Sequence, residues 1–157
     1  MKITDDIKLD EIDVKILSEL QKNSHLKRNE IAEMVGLSLP STIDRILKFE
    51  HSGVIKSYTV ILDAKKLKYD ITGFITVVSE SSKYYKQFLT QCDEEDEILE
   101  CHSITGDGSH ILKIRTENTS TLEKLLAKIQ SWPGVKSTKS NIVLSTIKET
   151  TNLKLKI

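Results

Sequence analysis

Residues Asn29–Ile55 read NEIAEMVGLSLPSTIDRILKFEHSGVI and contain the most specific structural signals of the sequence. Ile31 and Val35 share one face of a helix that ends at Gly36, a residue able to adopt the left-handed conformation of a C-terminal cap. Ser38 begins a second helix, because its hydroxyl can accept a hydrogen bond from the free amides of the first turn. Two helices joined by so short a turn predict a helix-turn-helix, whose second helix enters the DNA major groove.

This second helix is predicted to have an inward and an outward face. Its apolar side chains recur at helical spacing and form a stripe for the core: Ile43, Ile46 and Phe49. The residues that we expect to contact DNA are Ser38, Pro40, Ser41, Arg45 and Lys48 on the helix, with Lys27, Arg28 and Lys56 beside it. For Arg45, an ion pair with Asp44 or Glu50 on the same helix is the alternative.

Composition and charge fit this interpretation. The chain has 157 residues, of which 38% are hydrophobic and 29% charged, as is typical of a globular protein. Its formal net charge of zero argues at first against a nucleic-acid-binding protein. However, residues 22–69 carry nine basic residues against five acidic ones, whereas residues 1–21 carry three against six. The positive excess therefore lies on and beside the helix-turn-helix, where phosphate contacts are needed.

Other classes of site find little support. Cys92 and Cys101 lack the spacing of a zinc or redox motif, so we expect two reduced, buried thiols. His102 and His110 have no third ligand or carboxylate at a suggestive spacing, so we expect no catalytic residue, no metal and no cofactor. No apolar run approaches the roughly 20 residues of a membrane span, and no leader pattern is present, so a cytoplasmic protein without a membrane partner is expected.

Around the helix-turn-helix, the pattern predicts an all-α winged helix-turn-helix domain over residues 1–62. Residues 1–8 form a loose arm, and a support helix follows that begins near Leu9 and Asp10. Val54–Leu62 is predicted as a strand that forms the wing. The polar, basic stretch at residues 63–70 is the expected linker.

Residues 71–150 are predicted to form an α+β ferredoxin-like (βαββαβ) domain, followed by a tail at residues 151–157. Strand and helix patterns alternate in the order strand 71–80, helix 82–92, strands 98–105 and 109–117, helix 120–130 and strand 139–148. This order predicts a four-stranded antiparallel sheet with two helices on one face. The other face, which carries residues such as Phe74, Ile75 or Val77, has to be covered, and this predicts self-association.

Taken together, these motifs resemble the Lrp/AsnC, or feast/famine, family of transcriptional regulators. The resemblance is carried in the first half by L-D-x-x-D-x-x-I-L from Leu9, I-A-x-x-V-G-L-S from Ile31, R-I at Arg45 and G-V-I at Gly53. In the second half it is carried by C-H-x-x-T-G-D from Cys101, P-G-V from Pro133 and I-V-L from Ile142. The similarity covers roughly residues 9–149, and several motifs at consistent spacing are more specific than any single one.

The resemblance implies a sequence-specific DNA-binding transcriptional regulator whose partner is double-stranded DNA. It further implies a homodimer built through the C-terminal sheets, which assembles into a tetramer or octamer and reads a pseudo-palindromic operator. The C-terminal domain would sense an amino acid or a related small metabolite.

The loop that would hold the effector departs from the family pattern. Family members commonly have G-D-Y-D-Y, whereas this chain has Gly106-Asp107-Gly108-Ser109-His110, so Ser109 stands where an acid usually binds the effector's ammonium group. The two glycines leave backbone amides open to an anion. The expected effector-binding residues are Thr105, Gly106, Asp107, Gly108, Ser109, Ser145 and Thr146.

Two functions of other classes remain as alternatives. Some heme-pathway decarboxylases resemble the same two-domain arrangement, so a tetrapyrrole decarboxylase-like enzyme is one. A metabolite sensor that acts on protein partners is the other. Because the first domain keeps its DNA-reading character, we expect a regulator and not an enzyme.

Overall fold

The computed structural model describes residues 8–157, so the arm predicted for residues 1–8 lies outside the described residues but for its last residue. The chain forms two compact units. The first contains the described residues up to Ile61 together with Glu149–Ile157, and the second is Leu62–Lys148. The C-terminal residues that were expected to form a separate tail thus belong to the first unit.

Three helices build the first unit: α1 (Glu11–Lys22), α2 (Arg28–Val35) and α3 (Leu39–His51). Asp10 caps α1, because its carboxylate accepts from the Asp13 N–H at 2.7 Å, and the Asp13 carboxylate accepts from the Asp10 N–H at 3.1 Å. Gly36 ends α2 with φ +72°, the left-handed conformation that was expected there. These local signals confirm the predicted helix-turn-helix.

Apolar side chains from all three helices form the core of the first unit: Ile16, Leu17, Leu20, Ile31, Ile46 and Phe49. Ile43, which was expected in this core, is only half-buried, and the neighbouring Thr42 is fully buried. Thr42 can be buried because its hydroxyl donates to the Ser38 carbonyl at 3.1 Å. The stripe prediction was therefore correct for Ile46 and Phe49 and wrong for Ile43.

The predicted wing strand is not formed. Residues 54–62 have no strand assignment, and Val60, Ile61 and Leu62 expose 67%, 85% and 63% of their surface. Ile55 is anchored, because its N–H donates to the Phe49 carbonyl at 3.1 Å. A strand requires hydrogen bonds to a neighbouring strand, and among the described residues this segment pairs with none.

The C-terminal segment is held on the first unit by Gln21 of α1. The Gln21 side-chain nitrogen donates to the Leu153 carbonyl at 3.2 Å, and its oxygen accepts from the Leu153 N–H at 2.7 Å. Leu155 contacts the core of the unit. One amide side chain thus satisfies both backbone groups of Leu153.

The second unit contains β1 (Ile71–Ser79), α4 (Tyr85–Asp93), β2 (Ile98–Ser103), β3 (His110–Thr116), α5 (Thr119–Gln130) and β4 (Val135–Ile142), with a single 3-10 turn at Ser82–Tyr84 before α4. All paired strands are antiparallel, and their order in the sheet is β2-β3-β1-β4. This is the predicted βαββαβ arrangement. The linker before it folds into a turn, in which the Leu67 and Tyr69 amides donate to the Ala64 carbonyl at 3.0 and 2.9 Å.

The last strand lies earlier in the chain than predicted. β4 spans Val135–Ile142 and not residues 139–148, because its bounds follow its pairing with β1, from Val135 opposite Ser79 to Ile142 opposite Gly73. Beyond it, Leu144 is 98% exposed. Of the apolar run that suggested a later strand, Ile142 ends β4 and the Val143 N–H still donates to the Thr72 carbonyl of β1 at 2.9 Å, whereas Leu144 lies beyond the sheet.

The helices cover one face of the sheet. Ile75, Val77, Leu112 and Ile114 face them and form the core with Phe88, Leu125, Ile129 and Trp132. Ile75 and Val77 were expected on the uncovered face, and this was wrong. Phe74, 37% exposed, does lie there, because alternate strand residues point to opposite faces. Val78 and Ile111 share its face and are half-buried.

Candidate functional site

The exposed side of α3 begins at its N-terminal turn. Ser38 caps the helix, because its hydroxyl oxygen accepts from the Ser41 N–H at 3.3 Å and its proton is donated to the Ser41 hydroxyl oxygen at 2.9 Å. Pro40, Ser41 and Lys48 are exposed. The structure thus brings together four of the predicted DNA-contacting residues on one helix.

The same side of α3 carries residues that sequence reasoning missed. Leu47 is 42% exposed, and His51 is exposed with its Nδ1 2.7 Å from the Leu47 carbonyl. Both lie at helical spacing from Asp44, which is also exposed, so the spacing could have identified them.

Arg45, in contrast, contacts the start of α1. Its Nη1 lies 2.6 Å from Asp10 Oδ2 and 2.5 Å from Asp13 Oδ1. These hydrogen bonds raise the pKa of Arg45 and lower the pKa of Asp10. Arg45 therefore joins α3 to α1. This corrects both its expected role as a DNA contact and the alternative pairing within α3.

Arg28 is also engaged within the first unit. Its Nη2 lies 3.3 Å from the Tyr58 hydroxyl and 3.5 Å from Glu50 Oε1, and its guanidinium lies 5.6 Å from the Tyr58 ring centre. The Tyr58 hydroxyl donates to Glu50 at 2.7 Å. The Arg28 guanidinium, which was expected to contact a phosphate, is thus bound by Tyr58 and Glu50. The side chains of Lys27 and Lys56 are exposed.

In the second unit, the loop between β2 and β3 differs from its expected role. Thr105, Gly106 and Asp107 are exposed, and Gly106 has φ +110°. Gly108 lies against β1, because a Cβ there would overlap Thr76 Cγ2. This glycine therefore permits close approach of the loop to the strand.

The Ser109 hydroxyl is engaged by residues of β1 and by the neighbouring His110. It donates to the Val77 carbonyl at 3.0 Å, accepts from the Ser79 N–H at 3.1 Å and lies 2.7 Å from the Ser79 hydroxyl. It is thus not available to an ammonium group as expected. Ser145 and Thr146 are exposed, and no hydrogen bond within the described part of the chain joins them to this loop.

A pocket of about 370 Å³ adjoins Ser109, where the end of β1 and the start of β3 meet the turn that precedes α4. His110, Tyr85 and Phe88 are among the residues that line it. The pattern of the sequence assigned His110 no role. The sequence feature that could have identified His110 as a site residue is its position directly after the glycine loop.

A second, more open groove of about 500 Å³ runs between α4 and β2. It is lined in part by Cys92, which is buried, and Cys101, which is half-buried, and neither forms a disulfide. Burial raises the pKa of both thiols, so at neutral pH both are protonated.

The two histidines at the ends of the loop do not form one site. His102 Nε2 lies 3.2 Å from Glu100 Oε2 on the uncovered face, whereas His110 is buried on the helix side. No group of three or more His, Cys, Asp or Glu side chains within residues 8–157 is placed to hold a metal ion. None of the described helices is long and apolar enough to cross a membrane.

Comparison with known proteins matches both units. The family description "winged helix-turn-helix DNA-binding" matches residues 9–56, and "Lrp/AsnC ligand binding domain" matches residues 72–153. The HTH-type transcriptional regulator FL11 of Pyrococcus horikoshii is 40% identical over 150 residues, which are 96% of this chain and 99% of that protein. The chain belongs to the Lrp/AsnC family. The predicted family and the two-domain fold class are thereby confirmed.

Other Lrp/AsnC relatives agree. The leucine-responsive regulatory protein of Escherichia coli is 34% identical over 151 residues, 94% of this chain and 92% of that protein. Among solved structures, the Neisseria meningitidis regulator NMB0573 in complex with L-Met has a TM-score of 0.89 at 28% identity, covering 94% of this chain and 97% of that one. Escherichia coli AsnC has a TM-score of 0.87 at 28% identity, covering 93% and 99%.

These relatives decide between the functional alternatives. They are transcriptional regulators, so this Lrp/AsnC chain is a DNA-binding transcriptional regulator and not an enzyme, and the tetrapyrrole decarboxylase alternative is dropped.

Proposed function

We propose that the exposed side of α3 enters the major groove of an operator, with Pro40 and Ser41 at the base edges and Lys48 at a phosphate. The observation that carries this is the position of Ser41, exposed at the N-terminal turn of a helix whose opposite side is buried in the core. Lys27 and Lys56 supply further phosphate contacts.

The test begins with selection of bound fragments from genomic DNA, followed by titration of one retained fragment. Lys48→Ala should weaken binding and lower the slope of log affinity against log salt by about 0.9, the value for one phosphate contact. Lys124→Ala, an exposed lysine of α5, is the matched control and should bind as wild type. Equal affinity for Lys48→Ala and wild type rejects this assignment.

We further infer a homodimer formed through the uncovered face of the sheet, which assembles into a tetramer or octamer. Phe74, Val78 and Ile111 provide apolar surface on this face, and a paired assembly places two copies of α3 on one operator. Phe74→Asp should lower the mass found by sedimentation, because burying an unpaired carboxylate opposes association. An unchanged mass contradicts the interface.

The second unit is proposed to sense an amino acid or a related small metabolite in the cytoplasm. Support comes from its match to the ligand binding domain and from the relative solved with L-Met. A ligand can change DNA binding only by the difference between its affinities for the free and DNA-bound assemblies. Titration of the selected fragment against a metabolite panel tests this role, and a panel without any effect argues against it.

A further inference from the structure

The pocket beside Ser109 contains a buried histidine whose hydrogen bonding is incomplete. His110 is 4% exposed, and its Nδ1 lies 3.0 Å from the Ser109 hydroxyl oxygen. Its Nε2 has no hydrogen-bond partner. Buried polar atoms without partners are rare, so this nitrogen is a candidate for binding a ligand.

The neighbours of His110 define the chemistry of its free nitrogen. We assign the Ser109 hydroxyl proton to the Val77 carbonyl, 3.0 Å away, which makes the Ser109 oxygen the acceptor at the contact with His110 and places the imidazole proton on Nδ1. Burial lowers the pKa of His110, which keeps the imidazole neutral at neutral pH. Nε2 then presents a lone pair and requires a donor from its ligand.

The rest of the pocket is suited to a cation. Glu80 lines it, and its backbone is fixed by an N–H bond to the Gly134 carbonyl at 2.8 Å. Neither lysine nor arginine is among the residues that line the pocket, and Glu80 has no ion pair in the described part of the chain. A ligand carboxylate would therefore meet no positive side chain in this pocket, whereas an ammonium group would meet a carboxylate and a neutral acceptor.

Aromatic side chains supply the apolar part of the site. The Phe88 and Tyr85 rings lie 4.5 and 5.6 Å from the His110 ring, centre to centre. Tyr85 is 44% exposed and lines the pocket beside His110. Such rings also attract cations through their faces.

We propose that this pocket binds a small primary amine without a carboxylate, whose ammonium group donates to Glu80 and to Nε2 of His110 and whose apolar part contacts Tyr85 and Phe88. The inference rests on the proposed ligand-sensing role of the second unit and names a different class of ligand from the amino acid expected for the family.

Calorimetric titration of the full chain with matched pairs of compounds tests this site. Isopentylamine is compared with leucine, and phenethylamine with phenylalanine, since each pair differs only by the carboxylate. Each amine should bind at least about tenfold more tightly than its amino acid, as expected when a charged group is left without partners. The pocket variants are Glu80→Gln and His110→Phe, and Glu123→Gln on the exposed side of α5 is the control.

Each pocket variant should weaken amine binding at least about tenfold, the effect of losing one hydrogen bond to a charged group, whereas the control binds as wild type. Absence of amine binding, equal or tighter binding of the amino acids, or amine binding that survives both pocket variants overturns the proposal. Metabolite-dependent DNA binding is measured on the same preparation. If an amino acid changes it, ligand sensing stands and only the amine site is rejected.

Discussion

Loss of the Arg45 guanidinium is expected to destabilise the first unit and leave the second unchanged. Arg45→Met removes the ion pairs with Asp10 and Asp13 and keeps the aliphatic stem. The Arg45 side chain is 32% exposed and the Asp13 side chain 14% exposed, so this ion pair is intermediate between a surface pair and a buried pair. We therefore expect the Asp13 contact alone to contribute about 1–2 kcal/mol to the free energy of unfolding. For a unit of this size, the midpoint should fall by about 5–15 °C.

Two spectroscopic probes separate the two units. Trp132, the single tryptophan of the sequence, is buried in the second unit, so its fluorescence follows that unit, whereas far-UV circular dichroism also follows the helices of the first. Arg45→Met should lower the circular dichroism midpoint and leave the fluorescence midpoint unchanged. Lys48→Met, an exposed neighbour on α3, should change neither. Equal midpoints for Arg45→Met and wild type would refute the role of Arg45 in joining α1 and α3.

The pH dependence of this effect has a defined sign. Because Arg45 lowers the folded-state pKa of Asp10 below the ordinary 3.8, the stabilisation is present above that pH. It is lost as the pH falls through the lowered folded-state pKa. The difference between wild type and Arg45→Met should therefore shrink in acid, and a difference that grows there would contradict the ion pair.

Four further variants probe other parts of the molecule. Since burial lowers the pKa of His110 below 6.5, wild type should lose stability as the pH falls below that value, and His110→Phe should flatten this dependence in tryptophan fluorescence melts. Gly108→Ala should destabilise the second unit by about 1–3 kcal/mol, as overpacking does, because its Cβ would overlap the Thr76 methyl, and an unchanged fluorescence midpoint would argue against this. Gln21→Ala and Leu155→Ala should each reduce the free energy of unfolding of the first unit by about 1 kcal/mol, because the first loses hydrogen bonds and the second an apolar contact. Each variant should therefore have a lower circular dichroism midpoint than wild type. Midpoints equal to that of wild type would show that the C-terminal segment does not stabilise this unit.

The parts of the fold that depend on local chemistry were predictable from sequence. Gly36 ends α2 because glycine readily adopts the left-handed conformation of a C-terminal cap. Ser38 caps α3 through a hydrogen bond to the first turn of that same helix, so no distant residue is involved. The order of strands and helices in the second unit follows from periodicity in the same way.

The errors concern contacts between residues far apart in the chain. Asp10 lies 35 residues before Arg45, and Ser79 lies 30 residues before Ser109, so no local pattern shows that either side chain is already engaged. The bounds of strands also depend on distant residues. β4 is defined by its pairing with β1, and residues 54–62 form no strand because they have no partner strand among the described residues. The structure therefore exposes the predicted residues Pro40, Ser41 and Lys48 on α3, whereas Arg45 and Ser109 are engaged by partners that lie far away in the chain.

The N-terminal turn of α3 is proposed to read base edges, and a variant of Ser41 is the sharpest test of this role. Selection from random DNA should be carried out with wild type and Ser41→Ala, since the Ser41 hydroxyl is exposed and its own proton is not donated within the described residues. We predict that Ser41→Ala keeps the spacing of the half-sites and loses up to about tenfold discrimination at one symmetry-related pair of base positions. Identical base preferences for the two proteins at every position would contradict the claim.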